Sequence, residues 1–172
     1  MKLDEGLKLR LQFLSRVVKK EAYYLQDTDA RLFAKALDVS DLQRIAQDAL
    51  LAERLDAFVS RFGRLQDTLA DKFLPTLLDA MAETRGAATE NLDRAEKLGW
   101  LGSTDDWLVM RKLRNQMVHE YIEDLVILCD SLKAGHAFVS TLVKTADQFV
   151  VQADRRIATS LVNFRSASTP SS

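Results

Sequence analysis

The sequence predicts an all-α domain. Glycine (6) and proline (2) are scarce in 172 residues, hydrophobic residues make up 47% and charged residues 28%, and apolar residues recur at three- and four-residue steps along most of the chain. Few glycines and prolines leave few helix breakers, and the recurrence places the apolar side chains on one face of a helix. A chain of this length is by default one domain, with a core large enough to need no metal or disulfide. The lone cysteine, Cys129, has no partner for an internal disulfide, which points to a reducing compartment. Residues 1–6 carry neither an apolar run nor a small-residue cleavage site, and nowhere do about eighteen apolar residues follow one another. The expectation is a cytoplasmic chain, neither secreted nor membrane-spanning. With 24 basic and 25 acidic residues, net charge −1, the molecule has no overall field for polyanions, so contact with nucleic acid must be local.

The first helix is expected over residues 4–26. Residues 7–14 alternate as a strand would, but Val17, Val18, Ala22 and Leu25 return at helical steps. Asp27, Thr28 and Asp29 interrupt the pattern, and a short apolar piece around Leu32, Phe33 and Leu37 completes an N-terminal extension, residues 1–38. Ser40 with Gln43 offers a capping box, so a second long helix is expected from about Asp41, opening a core bundle over residues 40–164. Its stripe is Leu51, Leu55, Phe58, Phe62, Leu65, Leu69 and Phe73, the spacing that seats one helix against others. Pro75 lacks the backbone donor of an interior helical position, which predicts a kink or restart before Leu77, Leu78 and Met81, with the end over residues 84–89.

A shorter helix over residues 90–98 stops at Gly99, and Ser103 with Asp106 caps the next. Beyond it, Leu125, Leu128, Leu132, His136, Val139, Val143, Ala146, Val150, Ala153 and Ile157 predict a long helix, divided near Gly135. Residues 165–172 read as a disordered tail. No segment repeats at a fixed period, which argues against a solenoid. The expected architecture is an up-and-down bundle of four main helices with an additional N-terminal helix.

Chemistry concentrates in the helix that begins near Ser103. Trp107, Met110, Arg114, Met117 and Tyr121 recur at steps of 3, 4, 3 and 4 and share one stripe, so a guanidinium sits among core-type residues. Burying that charge costs several kcal/mol unless it is paired or wetted, so the stripe is expected to border a cleft or a subunit partner. His119 follows Arg114 by five residues, roughly 140° around an ideal helix and about 7.5 Å along it. The two converge if the helix ends or distorts near His119, or if two copies meet about a two-fold axis; a symmetric dimer is the favoured arrangement.

Arg114, Asn115, His119 and Tyr121 match an R-x4-H-x-Y pattern with Asn directly after the Arg, and in this the chain resembles HEPN proteins of the HepT toxin type. The similarity of layout covers about residues 40–160, the N-terminal helix being less family-like. The resemblance implies a homodimer in which Arg and His of both copies face an RNA substrate. Cleavage there would proceed without metal, by attack of the ribose 2′-hydroxyl, and leave a 2′,3′-cyclic phosphate. In that scheme His119 exchanges the proton, Arg114 clamps the phosphate and steadies its developing charge, and Asn115 supports substrate or His119. Tyr121 matches the tyrosine that a partner nucleotidyltransferase antitoxin modifies with AMP, placing bulk and negative charge beside the site. The alternative is a catalytically silent HEPN partner that binds nucleotide or a nucleotidyltransferase; a third reading is a helical interaction module with no active site.

Other candidates read as structural. His136 and Cys129 lie in apolar stretches and suit a packed histidine with one hydrogen bond and an inert thiol. Tyr23, Tyr24 and Trp100 lack the interleaved basic residues of a base-stacking surface and read as packing and loop anchors. Arg111, Lys112 and Arg114 form a local basic cluster, offset by Glu120, Glu123 and Asp124. Two histidines seventeen residues apart, with no His-x3-His or Glu-x-x-His pair and no glycine-rich phosphate loop, lead to no expected metal or cofactor.

Overall fold

The computed structural model describes residues 3–119 and 123–166, with side chains through Ser160. It is 84% helical and contains no strand among the described residues, so the chain is all-α. The helices are α1 (Glu5–Leu32), α2 (Val39–Gln43), α3 (Ala49–Asp67), α4 (Leu74–Ala80), α5 (Ala88–Lys97), α6 (Thr104–His119) and α7 (Leu125–Ser166).

The long helices enclose one core. α1 packs on α3 and α7, and α6 packs on the same two, so the contacts close into a ring. Residue pairs give the directions. Phe33 meets Phe58 while Glu21 bonds Thr68, so α1 and α3 run antiparallel. Gly63 faces Arg114 while Gln66 Nε2 donates to the Trp107 carbonyl at 3.4 Å, so α3 and α6 do too. Leu11, Leu14, Val18 and Leu25 of α1 are fully buried. The helix read from sequence as an N-terminal addition thus forms one side of this ring.

α1 runs on past Asp27, Thr28 and Asp29, where the sequence pattern suggested a break. Tertiary partners satisfy these polar groups. Thr28 is fully buried, donates to the Tyr24 carbonyl at 2.9 Å and accepts from Arg61 Nη1, while Asp27 pairs with Arg31 at 2.9 Å. The capping box also moves. Asp38 caps α2 by accepting from Asp41 N at 2.9 Å, the Asp41 carboxylate returns the bond to Asp38 N at 3.0 Å, and Ser40 only supports Asp38. The second long helix therefore starts at Ala49, capped by Asp48, rather than near Asp41.

Between α3 and α4 the helix continues without a break through a π-helical stretch, Thr68–Phe73, which leads into Pro75 in the first turn of α4. A proline there forfeits no interior hydrogen bond. α4 stops at Ala80, earlier than the sequence suggested, because Ala82 takes a left-handed φ of 56°. α5 ends at Lys97, and Gly99, at φ 71°, makes the turn.

α7 is continuous for 42 residues, about 60 Å. Gly135 does not divide it. A Cβ there would sit 2.3 Å from Met117 Cε, so the glycine makes room for the Met117 methyl of α6, while Phe58 Cε1 of α3, at 3.5 Å, would be at ordinary contact distance. The helix also includes Arg165 and Ser166, so the expected tail is helical at its start; residues 167–172 lie outside the described residues. By length and composition alone, Leu125–Ser160 would suffice to cross a membrane, while Leu128, Leu132, Leu142, Ala146 and Phe149 from that stretch are buried in the core.

Candidate functional site

α6 is anchored before it reaches the motif. The Glu96 carboxylate of α5 accepts from Thr104 N at 2.8 Å and Ser103 Oγ accepts from Asp106 N at 3.1 Å, so two of the orphan donors of the first turn are met. The bond from Thr104 holds the Glu96 carboxyl below its usual range. Trp107, Met110 and Met117 then fill the core and fix the helix's rotation.

That rotation carries Arg114 to the edge of the core. Its side chain is 34% exposed, and Nη2 donates to Asp67 Oδ2 at 3.0 Å. The stem reaches this place because Gly63 has no side chain: a Cβ on Gly63 would lie 3.0 Å from Arg114 Nε and 3.2 Å from Cγ. The guanidinium is thus both paired and wetted, which is how a cation is tolerated on a core stripe.

His119 is the last described residue of α6, and both it and Asn115 are exposed. The helix is regular from Arg114 to His119, so the two stand roughly 140° apart, and a single chain does not bring them onto one face. Tyr121 and Glu120 lie outside the described residues. The basic cluster read from sequence is largely compensated: Arg111 lies 3.6 Å from Asp71, Arg114 is paired with Asp67, and Lys112 is exposed.

Arg114 opens on a pocket of about 630 Å³ between α3 and α6, lined among others by Ser60, Arg64, Asp67, Thr68 and Lys72. Sequence reasoning missed these residues of α3 and the π-helical stretch as site candidates. A signal was present: Leu65, Leu69, Phe73, Leu77 and Met81 follow at steps of four, and in an unbroken α-helix each such step advances the stripe by about 40°. A run of them needs local unwinding, and the π-helical turn supplies it; such turns often accompany functional sites.

Glu21 stands behind this wall. Its Oε1 accepts from Thr68 Oγ1 at 3.1 Å, and burial raises its pKa above 4.5 despite that bond and the fields of Arg64 and Lys72. A raised folded pKa means a contribution to stability that is complete below the unfolded pKa and is lost as pH rises through the folded value. Glu21→Gln keeps an acceptor for Thr68 without the charge. It is expected to melt above wild type at neutral pH and together with it at pH below the usual carboxylate range, as read by circular dichroism.

The remaining candidates settle locally. Cys129 is buried, points its thiol at the Leu37 carbonyl at 3.8 Å, and has its pKa raised by desolvation, which disfavours the reactive thiolate. His136 stacks on Phe33 with ring centroids 4.2 Å apart, and its Nδ1 lies 2.7 Å from Asp29 Oδ1. Trp100 is buried, as a loop anchor should be, but Tyr23 and Tyr24 are exposed on α1, with Arg61 over the Tyr24 ring. Their helical neighbours Ala22 and Leu25 fill the core instead. No cluster of three His, Cys, Asp or Glu groups suited to a metal ion occurs among the described residues. No family model, curated protein or solved structure matches the chain.

Proposed function

We propose that this chain is a HepT-like, metal-independent endoribonuclease toxin of the HEPN type, acting as a symmetric homodimer of up-and-down helical bundles in the cytoplasm. The observation that carries the reading is Arg114. It leaves a stripe of fully buried residues to face a solvated pocket, one residue before Asn115 and five before His119 at the end of α6. A stable fold gains little from a cation there, whereas phosphate recognition needs one. Because Arg114 and His119 diverge around α6, the second copy is required to complete the site, with the end of each α6 facing the other.

In that arrangement His119 takes the 2′-hydroxyl proton or returns one to the leaving oxygen, and Arg114 exchanges Asp67 for the scissile phosphate. Tyr121 is the proposed site of AMP transfer by a nucleotidyltransferase partner. The test is purified protein, shown by intact mass to be unmodified, incubated with total RNA in EDTA. Cleavage to 2′,3′-cyclic phosphate ends, by a protein that sediments as a dimer, is the expected result; intact RNA would sink the reading.

A second reading is favoured by one observation: Arg114 is already held by Asp67 and His119 stands apart from it. A silent HEPN partner that binds nucleotide or the transferase would leave RNA uncut and still bind AMP.

A further inference from the structure

The pocket between α3 and α6 holds two cations besides Arg114. Most arginines with a described partner are tied to carboxylates: Arg31 to Asp27, Arg44 to Asp41, Arg85 to Asp79, Arg94 to Glu83, Arg111 to Asp71 and Arg114 to Asp67. Arg64 and Lys72 differ. Arg64 Nη2 reaches only the Ser60 hydroxyl, at 3.4 Å, and the Lys72 ammonium has no hydrogen bond or ion pair among the described residues. Both feel the field of Glu21, whose carboxyl burial biases toward the neutral form. Both line the pocket that Arg114 enters.

The π-helical turn explains how they come to share it. From Arg64 to Thr68 an α-helix overshoots a full turn by about 40°. From Thr68 to Lys72 the chain is π-helical, with more residues to the turn, so four residues fall short of a full turn and the overshoot is taken back. Arg64, Thr68 and Lys72 therefore line one groove, where a continuous α-helix would carry Lys72 away around the axis. The lining opposes three cations, Arg64, Lys72 and Arg114, to two carboxylates, Asp56 and Asp67.

We propose that this pocket is a second phosphate subsite, in which Arg64 and Lys72, assisted by the Ser60 hydroxyl, hold an RNA phosphate other than the one at Arg114. This rests on the ribonuclease reading for its substrate, and it assigns the α3 side of the pocket a positioning role that the motif on α6 does not provide. Strand path and register would then be set by α3, and chemistry by the end of α6.

The test measures binding rather than cleavage, in the His119→Ala background and in EDTA, by fluorescence anisotropy of a short single-stranded RNA across a salt series. Arg64→Gln with Lys72→Gln is expected to weaken binding at least about tenfold. The slope of log affinity against log salt should fall by about 0.7 for each phosphate that the variant no longer neutralises. Ser60→Asp, which keeps both cations and adds a negative charge, should weaken binding as well, while Lys97→Gln on α5 should leave it unchanged. Competition by AMP and by inorganic phosphate separates a mononucleotide pocket from one that needs a polynucleotide strand; displacement by either supports the phosphate site. Binding and slope unchanged in the double variant, or no RNA binding at all, overturn the subsite. Binding that depends on Arg64 and Lys72 in a protein whose wild type cuts no RNA keeps the subsite and overturns the ribonuclease reading instead.

Discussion

Replacing His119 with alanine is expected to lower RNA cleavage in EDTA by roughly 10²–10⁴-fold, the usual contribution of a positioned general acid or base. Helicity and the melting midpoint should be unchanged, because His119 is exposed at the end of α6 and makes no hydrogen bond with another described residue through its side chain. Arg114→Ala should reduce cleavage too, but with a second effect. It frees Asp67 and leaves space beside Gly63, so its loss of activity must be read against its own melting curve. A loss confined to activity in His119→Ala would mark a chemical role. Equal cleavage by variant and wild type would remove His119 from the mechanism and leave the proton transfer to another group.

The largest stability effect is expected at Phe58. Its ring is fully buried, meets Phe33 edge-on at 5.5 Å and Phe62 at 5.8 Å, and faces the side of α7 at Gly135, where an added Cβ would lie 3.5 Å from Cε1. Phe58→Ala therefore opens a cavity where α1, α3 and α7 converge, at a cost of about 3–5 kcal/mol. For a chain of this size that corresponds to a fall of around 10 °C in the melting midpoint. A fall of only a degree or two would mean that the three helices close the gap.

Much of this packing was legible in the sequence because it follows helical periodicity. The stripe from Leu55 to Phe73 and the trio Trp107, Met110 and Met117 are buried as their spacing required. What was misread depended on partners distant in the chain. The polar run at Asp27, Thr28 and Asp29 looks like a break until Arg61, from α3, supplies its hydrogen bond to Thr28. Gly135 looks like a divider until Met117 is seen to need its space. The motif on α6 was visible because its residues are close in sequence. The opposite wall was not, since Arg64 and Lys72 look like ordinary surface cations along α3 until the π-helical turn and α6 place them around one pocket.

That turn can also be described as one surplus residue. Omitting Asp71 would bring Leu65, Leu69, Phe73 and Leu77 to steps of four, three and four, the spacing of an ordinary amphipathic helix. A chain shortened in this way would carry one α-helix from Ala49 to Ala80 with Pro75 in its interior, where the missing donor and the clash with the preceding turn cost about 3 kcal/mol or more. Lys72 would then stand seven residues after Arg64, about 20° short of two full turns, and would stay on the groove side while moving one residue's rise closer to Arg64. The surplus residue thus gives Pro75 its place in the helix and sets how far apart Arg64 and Lys72 stand along the groove, which makes the length of this helix, together with the side chains on it, part of what the groove can hold.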